Sequence, residues 1–283
     1  MPSTIDIRRR IRSVRNTQQI TKAMKMVAAA KLRRAQDRIM AARPYAAALM
    51  EVLSSVAARV EVADHPLLAE REEKRVLLLV VTGDKGLAGA FNASVIKLAQ
   101  RAMDEQNWSS VQLVLLGKKG ADFFRRRTIP VRHAETDIFQ ALSPERANAV
   151  SNLLIEDYVS GEIDAVYVVY NEFKSVIQQN LRLERLLPFH RLKEDVPTVE
   201  YLYEPGPVEI LQELLPKHVE FQLYRILLES AAAEHGARMT AMDAASKNAA
   251  DMIESLTLKY NRMRQAAITT EIIEIVSGAA ALD

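Results

Sequence analysis

Ile268-Thr269-Thr270-Glu271-Ile272-Ile273-Glu274-Ile275-Val276-Ser277-Gly278-Ala279-Ala280-Ala281 closes the run that decides the fold. From residue 217 to residue 277 the chain has no proline and a single glycine, Gly236. An unbroken stretch of roughly sixty residues predicts one helix of about 90 Å at ~1.5 Å per residue. Most globular helices run about 8–20 residues, so a helix this long needs a partner along its length. The partner lies at the other terminus. Residues 3–43 also lack proline, and the first glycine of the chain is Gly83. Two long helices at opposite ends, with a compact region between them, predict a rod with a head.

Periodicity supports the pairing. Alternate steps of four and three residues from Ile7 pass through Ile11, Val14, Gln18, Thr21, Lys25, Ala28, Leu32, Ala35, Ile39, Ala42, Ala46, Leu49, Leu53, Val56 and Val60. A seam sustained over roughly seven heptads is the pattern of a coiled coil. Ser3 can cap the first helix, with Asp6 three residues on completing a box-like start. Pro44 is expected to bend this helix without ending the seam. The C-terminal run carries a matching seam: Leu228, Ala232, His235, Met239, Met242, Ser246, Ala249, Ile253, Leu256, Tyr260, Met263 and Ala267. A domain inserted between the two helices makes them antiparallel.

The middle reads differently. Arg75-Val76-Leu77-Leu78-Leu79-Val80-Val81 is an unbroken apolar run of the buried-strand kind. Further strands are predicted at residues 111–116, 129–133 and 165–170, with an extended stretch near 177–187. Helices are predicted at 91–106, 119–127 and from Pro144, favoured at a first helical position, to 159. Alternating strands and helices imply a mostly parallel, Rossmann-like α/β sheet. The fold class is therefore α/β with a long antiparallel coiled coil of the N- and C-terminal helices around a central α/β domain. The expected divisions are residues 1–63, 64–207 and 208–283.

Composition narrows the function. The chain is 283 residues long, 49% apolar and 26% charged, a globular balance, and it has no cysteine. Disulfides and cysteine-ligated metals are excluded. The net charge of +2 hides an asymmetry: up to Arg59 the Lys and Arg residues, beginning at Arg8-Arg9-Arg10, meet only Asp6, Asp37 and Glu51. A basic helix of this kind wants an acidic partner surface. No stretch approaches the ~18 apolar residues of a membrane helix, and the N-terminus carries no apolar signal region, so a cytoplasmic chain is expected.

Catalytic chemistry has little to stand on. Thr82-Gly83-Asp84-Lys85-Gly86-Leu87-Ala88-Gly89 follows a strand and precedes a helix, where a phosphate-binding loop belongs. Its spacing fits neither G-x-x-x-x-G-K-[ST] nor G-x-G-x-x-G, and a tight turn against the sheet edge is the plainer reading. His65, His133, His190, His218 and His235 show no paired metal-ligand spacing. No Gly-x-Ser-x-Gly elbow occurs. Nucleic-acid binding by the basic helix is disfavoured because its seam demands a helical partner and interleaved aromatics are lacking. A non-catalytic chain without cofactor is expected. A stand-alone coiled-coil scaffold and a nucleotide-binding enzyme using residues 83–89 remain as rivals.

Three separated motifs carry a resemblance that spans essentially the whole chain. The quoted C-terminal string fits [IV]-T-x-E-x-x-[DE]-x-x-x-G-A-x-[SAKR] at every fixed place. Asn16-Thr17-Gln18-Gln19-Ile20-Thr21-Lys22-Ala23-Met24-Lys25-Met26-Val27-Ala28-Ala29-Ala30-Lys31 is of the same type. Asp84-Lys85-Gly86-Leu87-Ala88-Gly89-Ala90-Phe91-Asn92 is similar to D-R-G-L-C-G-x-x-N, with Lys for Arg and Ala for Cys. These resemble the gamma-subunit family of F-type ATP synthases, and Tyr201-Leu202-Tyr203-Glu204-Pro205 looks like that family's foot sequence. The chain lacks the cysteine-bearing insert of the chloroplast form.

The resemblance implies a central rotor shaft that couples ion flow to ATP synthesis and bears on ATPase activity. It implies partners: a hexameric ring of alpha and beta subunits, the epsilon subunit and the membrane ring of c subunits. It implies a peripheral protein on the cytoplasmic side of the cell inner membrane, touching the membrane only through the c ring, with ATP chemistry in beta. By position, Met24, Lys25 and Arg238 fall where the family's shaft meets an acidic lever of beta. Arg264, Gln265, Thr269 and Glu271 fall at its polar catch with beta. Ile272, Ile275, Val276 and Ala279 fall on an apolar tip turning in a hydrophobic sleeve. Tyr201 and Glu204 fall at the foot facing the c ring and epsilon.

Overall fold

The computed structural model describes residues 3–57, 65–140, 142–176, 178–189 and 206–280. In chain order it holds α1 (Thr4–Ala57), a short 3-10 helix (Pro66–Leu68), β1 (Arg75–Val81), α2 (Phe91–Glu105), β2 (Ser110–Leu116), α3 (Lys118–Phe124), β3 (Val131–Glu135), α4 (Pro144–Val159), β4 (Ala165–Phe173), β5 (Gln179–Leu187) and α5 (Pro207–Ala280). Two compact units result. One joins Met1–Ala28 with Met239–Asp283, and the other is Ala29–Arg238.

In the larger unit a five-stranded sheet runs β3-β2-β1-β4-β5. β1 pairs in parallel with β2 and β4, β2 in parallel with β3, and β5 runs antiparallel along β4. The apolar run of β1 is explained by cover on both faces. Leu77, Leu79 and Val81 join one core with Leu49, Leu53 and Val56 of α1, Leu154 and Tyr158 of α4, and Leu211, Leu215 and Leu223 of α5. Leu78 and Val80 join the other with Val95 and Ala99 of α2 and Phe124 of α3. Parallel strands buried on both faces read as continuous apolar runs.

α5 starts ten residues before the proline-free run, and Pro216 sits inside it. An interior proline removes one backbone hydrogen bond and is costly in isolation. Leu211, Leu215 and Val219 around it are nevertheless buried against the sheet. Burial of three large side chains, each worth about 1.5–3 kcal/mol, outweighs the local penalty. Pro44 likewise lies inside α1.

The seam is visible as burial. Along α1, Ile7, Thr21, Ala28, Leu32, Ala35, Leu49, Leu53 and Val56 are buried, and the seam positions between them are half-buried. Val60 lies outside the described residues. Within the larger unit Leu32 and Ala35 pack on Ala232, and the rings of Tyr45 and Phe221 lie 5.1 Å apart. Within the smaller unit Lys25 Nζ meets Asp243 Oδ1 at 2.6 Å, while Arg8 hydrogen-bonds the Tyr260 hydroxyl. In both units partner numbers fall on α5 as they rise on α1, so the helices are antiparallel. The start of α1 has its reciprocal cap: Ser3 N donates to Asp6 Oδ2 at 3.0 Å and Asp6 N to Ser3 Oγ at 3.2 Å. On α5 the seam holds to Met263 and ends before Ala267, which is exposed.

Leu32→Ala is expected to cost about 2–4 kcal/mol in urea unfolding of the isolated chain, through lost transfer energy and a cavity. Ile20→Ala, on the exposed face of the same helix, is expected to stay within about 0.5 kcal/mol of the parent.

Candidate functional site

The turn after β1 sits where doubly wound folds bind ligands, beyond the carboxyl ends of the parallel strands. Here it is filled from within. Thr82 Oγ1 donates to Leu116 O at 3.1 Å and accepts from Gly120 N at 2.9 Å, tying β1 to β2 and α3. Gly117 has φ 97°, and a Cβ there would lie 1.9 Å from Thr82 O. Asp84 Oδ1 accepts from Lys118 N at 3.0 Å and Asp137 N at 2.8 Å. Gly83 N donates to Asn92 Oδ1 at 2.8 Å, and Asn92 Nδ2 donates back to Lys85 O at 3.3 Å.

α5 closes the crevice. Glu234, 4% exposed, presents its carboxylate so that a Cβ on Gly83 would lie 2.5 Å from Oε1. Arg238 Nη2 donates to Glu234 Oε1 at 2.7 Å and to Gly86 O at 3.3 Å. Gly83 thus admits a carboxylate from the chain itself, and Gly86 offers its carbonyl to the arginine. The sequence reading missed Glu234; its signal was an acid four residues before Arg238, in a run of alanines that buries everything beside it. Among the described residues no group of three or more His, Cys, Asp or Glu side chains is placed to hold a metal ion.

A second, half-buried polar cluster joins α5 to β4 and β5. Arg225 bonds Glu184 at 3.2 Å and Glu229 at 3.0 Å, and Tyr170 OH donates to Glu184 Oε2 at 2.8 Å. Burial pushes the Glu229 carboxyl up against the pull of Arg225. Nearby, His218 is 2% exposed, with its ring edge-on to Phe189. Burial, aided by Arg225, lowers its imidazole to about 4.

The residues singled out for coupling are not brought into one cluster. Met24 is half-buried beside the seam, and Lys25, on it, is held by Asp243. Hydrogen bonds from Lys25 and then Lys247 keep the Asp243 carboxyl below the usual range. Arg238 turns inward, its side chain 12% exposed. Arg264, Gln265, Thr269 and Glu271 are exposed on the last turns of α5, where Thr269 Oγ1 donates to Gln265 O at 2.9 Å. Ile272, Ile275 and Val276 are exposed too, Ile275 at 67%. Ala279 is helical with its side chain outside the described part, and Tyr201 and Glu204 lie outside the described residues. An apolar helix end left bare in this way marks an interaction surface.

Residues 3–282 match the family model described as ATP synthase. The ATP synthase gamma chain of Solibacter usitatus is 57% identical over 287 residues, covering 100% of both chains. The chain belongs to the ATP synthase gamma-chain family. The gamma chain of Chlorobaculum tepidum is 51% identical over 100% of this chain and 99% of its own. Among solved structures, the central stalk and c-ring of the Tetrahymena thermophila mitochondrial ATP synthase matches at 26% identity with TM-score 0.62, over 80% of this chain and 99% of that one. The rotor of the Euglena gracilis mitochondrial enzyme matches in fold, at 19% identity and TM-score 0.66, over 94% of this chain and 98% of that one. Gamma chains are subunits of the stalk and not the catalytic subunit.

An unfolded histidine titrates near 6.5, and folded His218 near 4. The unfolded chain therefore binds the extra proton between these values, and stability falls as pH drops from about 6.5 to about 4, then levels. The full effect is up to about 3 kcal/mol. Thermal melts across this range are expected to show that slope, and His218→Leu to reduce it.

Proposed function

We propose that this chain is the central rotor shaft of an F-type ATP synthase, turning with the membrane c ring and driving conformational change in the beta subunits. The observation that carries the reading is a family match over nearly the whole chain, joined to a helix whose last turns are apolar and bare. A surface of Ile268, Ile272, Ile275 and Val276 exposed together is unstable in water unless a partner covers it. A sleeve lined by alpha and beta subunits fits that need.

In this reading Met24 and Lys25 face the acidic lever of beta, and Lys25 trades between Asp243 and that lever as the shaft turns. Arg264, Gln265, Thr269 and Glu271 form the polar catch. Ile272, Ile275, Val276 and Ala279 turn in the sleeve. Tyr201 and Glu204 meet the c ring and epsilon. Residues 1–63 and 208–283 act as the two shaft helices and 64–207 as the foot. In this reading the chain is a peripheral subunit at the cytoplasmic face of the inner membrane. No helix among the described residues is long and apolar enough to cross a membrane. Catalysis belongs to beta. Proton flow turns the c ring, and the asymmetric shaft surface drives each beta site in turn.

Affinity purification of the tagged chain from its own cells is expected to recover alpha and beta; recovery without them sinks the proposal. The isolated chain is expected to hydrolyse no ATP in a contaminant-free preparation. Ile272→Asp with Ile275→Asp is expected to leave unfolding of the isolated chain within about 0.5 kcal/mol, since both side chains are exposed. The same pair is expected to lower recovery of alpha and beta severalfold.

A further inference from the structure

We propose that Glu234, with Arg238, is a positioning residue for torque transfer: it fastens the α/β fold to the shaft helix through the turn at residues 83–86. The inference rests on the rotor reading. Its starting point is how α5 is held inside the larger unit. Around Glu234 the helix is made of small residues, with Ala231, Ala232 and Ala233 buried. Ala232 faces Leu32 and Ala35 of α1, while Ala233 faces Ala88 and Phe91. Gly236 abuts Phe173, with 3.5 Å from its would-be Cβ to the ring. Such surfaces hold by apolar burial, which is non-directional and resists sliding weakly.

Directional resistance comes from polar fasteners. Gln179 Nε2 donates to Ala233 O at 2.9 Å, and Asn148 Nδ2 to Glu220 Oε2 at 2.8 Å. The Glu234–Arg238 pair differs from these in being both charged and buried, with side chains 5% and 12% exposed. Arg238 reaches Gly86 O, and Glu234 occupies the space that Gly83 leaves. From there the bonds continue outward: Gly83 to Asn92 of α2, and Asp84 to Lys118 of α3 and to Asp137. A force applied to the sheet and its helices thus reaches α5 through the bonds of Asn92 and Lys118 to the turn, the turn's own backbone, and the 3.3 Å bond from Arg238 to Gly86 O. The charge-assisted Glu234–Arg238 bond lies within α5 and holds the guanidinium on Gly86 O, and breaking one partner leaves the other uncompensated.

The assignment changes how Arg238 acts. Its guanidinium is committed to Glu234 and Gly86, so its part in coupling runs through the turn. A side chain at position 83 would shift the carboxylate that Arg238 holds.

The test uses the whole complex in inverted membrane vesicles, carrying Glu234→Ala, Glu234→Gln or Gly83→Ala. ATP hydrolysis and ATP-driven acidification are measured on the same preparation. Glu234→Ala and Gly83→Ala are expected to keep hydrolysis within about twofold while pumping per ATP falls about threefold to tenfold, the range of a coupling contact. Glu234→Gln keeps an acceptor for Arg238 and is expected to recover part of the loss. Unchanged pumping per ATP in Glu234→Ala overturns the proposal. Failure of all three variants to assemble also overturns it, since the pair is then a folding requirement. Failure of the unaltered chain to assemble with alpha and beta strikes the rotor reading instead, so the two failures are distinguishable.

Discussion

A helix of 74 residues has to be covered along its length, and the rest of the structure depends on where that cover comes from. Its own hydrogen bonds do not suffice, because helical stability in water comes mainly from packing an apolar face. α5 meets this demand in successive ways. From Leu211 to Leu228 it lies against the sheet. In the smaller unit, Met242 and Ala249 are buried, with α1 alongside. Beyond Met263 no described residue covers it, and the apolar residues described there, as far as Val276, are exposed. The bare tip is therefore the part of one continuous requirement that the chain leaves for other subunits.

The same demand explains what occupies the usual ligand position of a doubly wound sheet here. α5 needs a socket, and the end of β1 offers one. Glycine at position 83 leaves room for Glu234 and brings the turn onto the helix. Arg238 neutralises the carboxylate that this contact buries. A turn with the local grammar of a phosphate cradle becomes an anchorage for a side chain of the same chain. Anions and a carboxylate ask for similar surroundings: exposed backbone donors, little steric bulk and a cation nearby.

Electrostatics separates the surface contacts from the fixed ones. Lys25 and Asp243 pair at a half-exposed site, where an ion pair contributes little and exchanges easily. Glu234 and Arg238 pair in a buried site, where loss of either partner leaves a charge without water. The first suits a contact that forms and breaks with rotation. The second suits a joint that must not.

Much of this was legible in the sequence. The heptad steps from Ile7 to Val56 match the buried stripe of α1, which packs on α5 at Leu32 and Ala35 and joins the sheet's core from Leu49. The run at Arg75–Val81 marked a strand covered on both faces. The Ser3 cap and the start of α4 at Pro144 followed from backbone groups that need local partners. The start of α5 was not legible, since Pro216 argues locally for a break and only burial of Leu211 and Leu215 on the sheet overrides it. Nor was the inward turn of Arg238, whose position the family resemblance gave as a contact with beta. Periodicity reports which face of an element must be covered, because side-chain direction is fixed by local geometry. Which surface does the covering is chosen among residues far apart in sequence, and that choice alone made the turn at residue 83 a socket for Glu234.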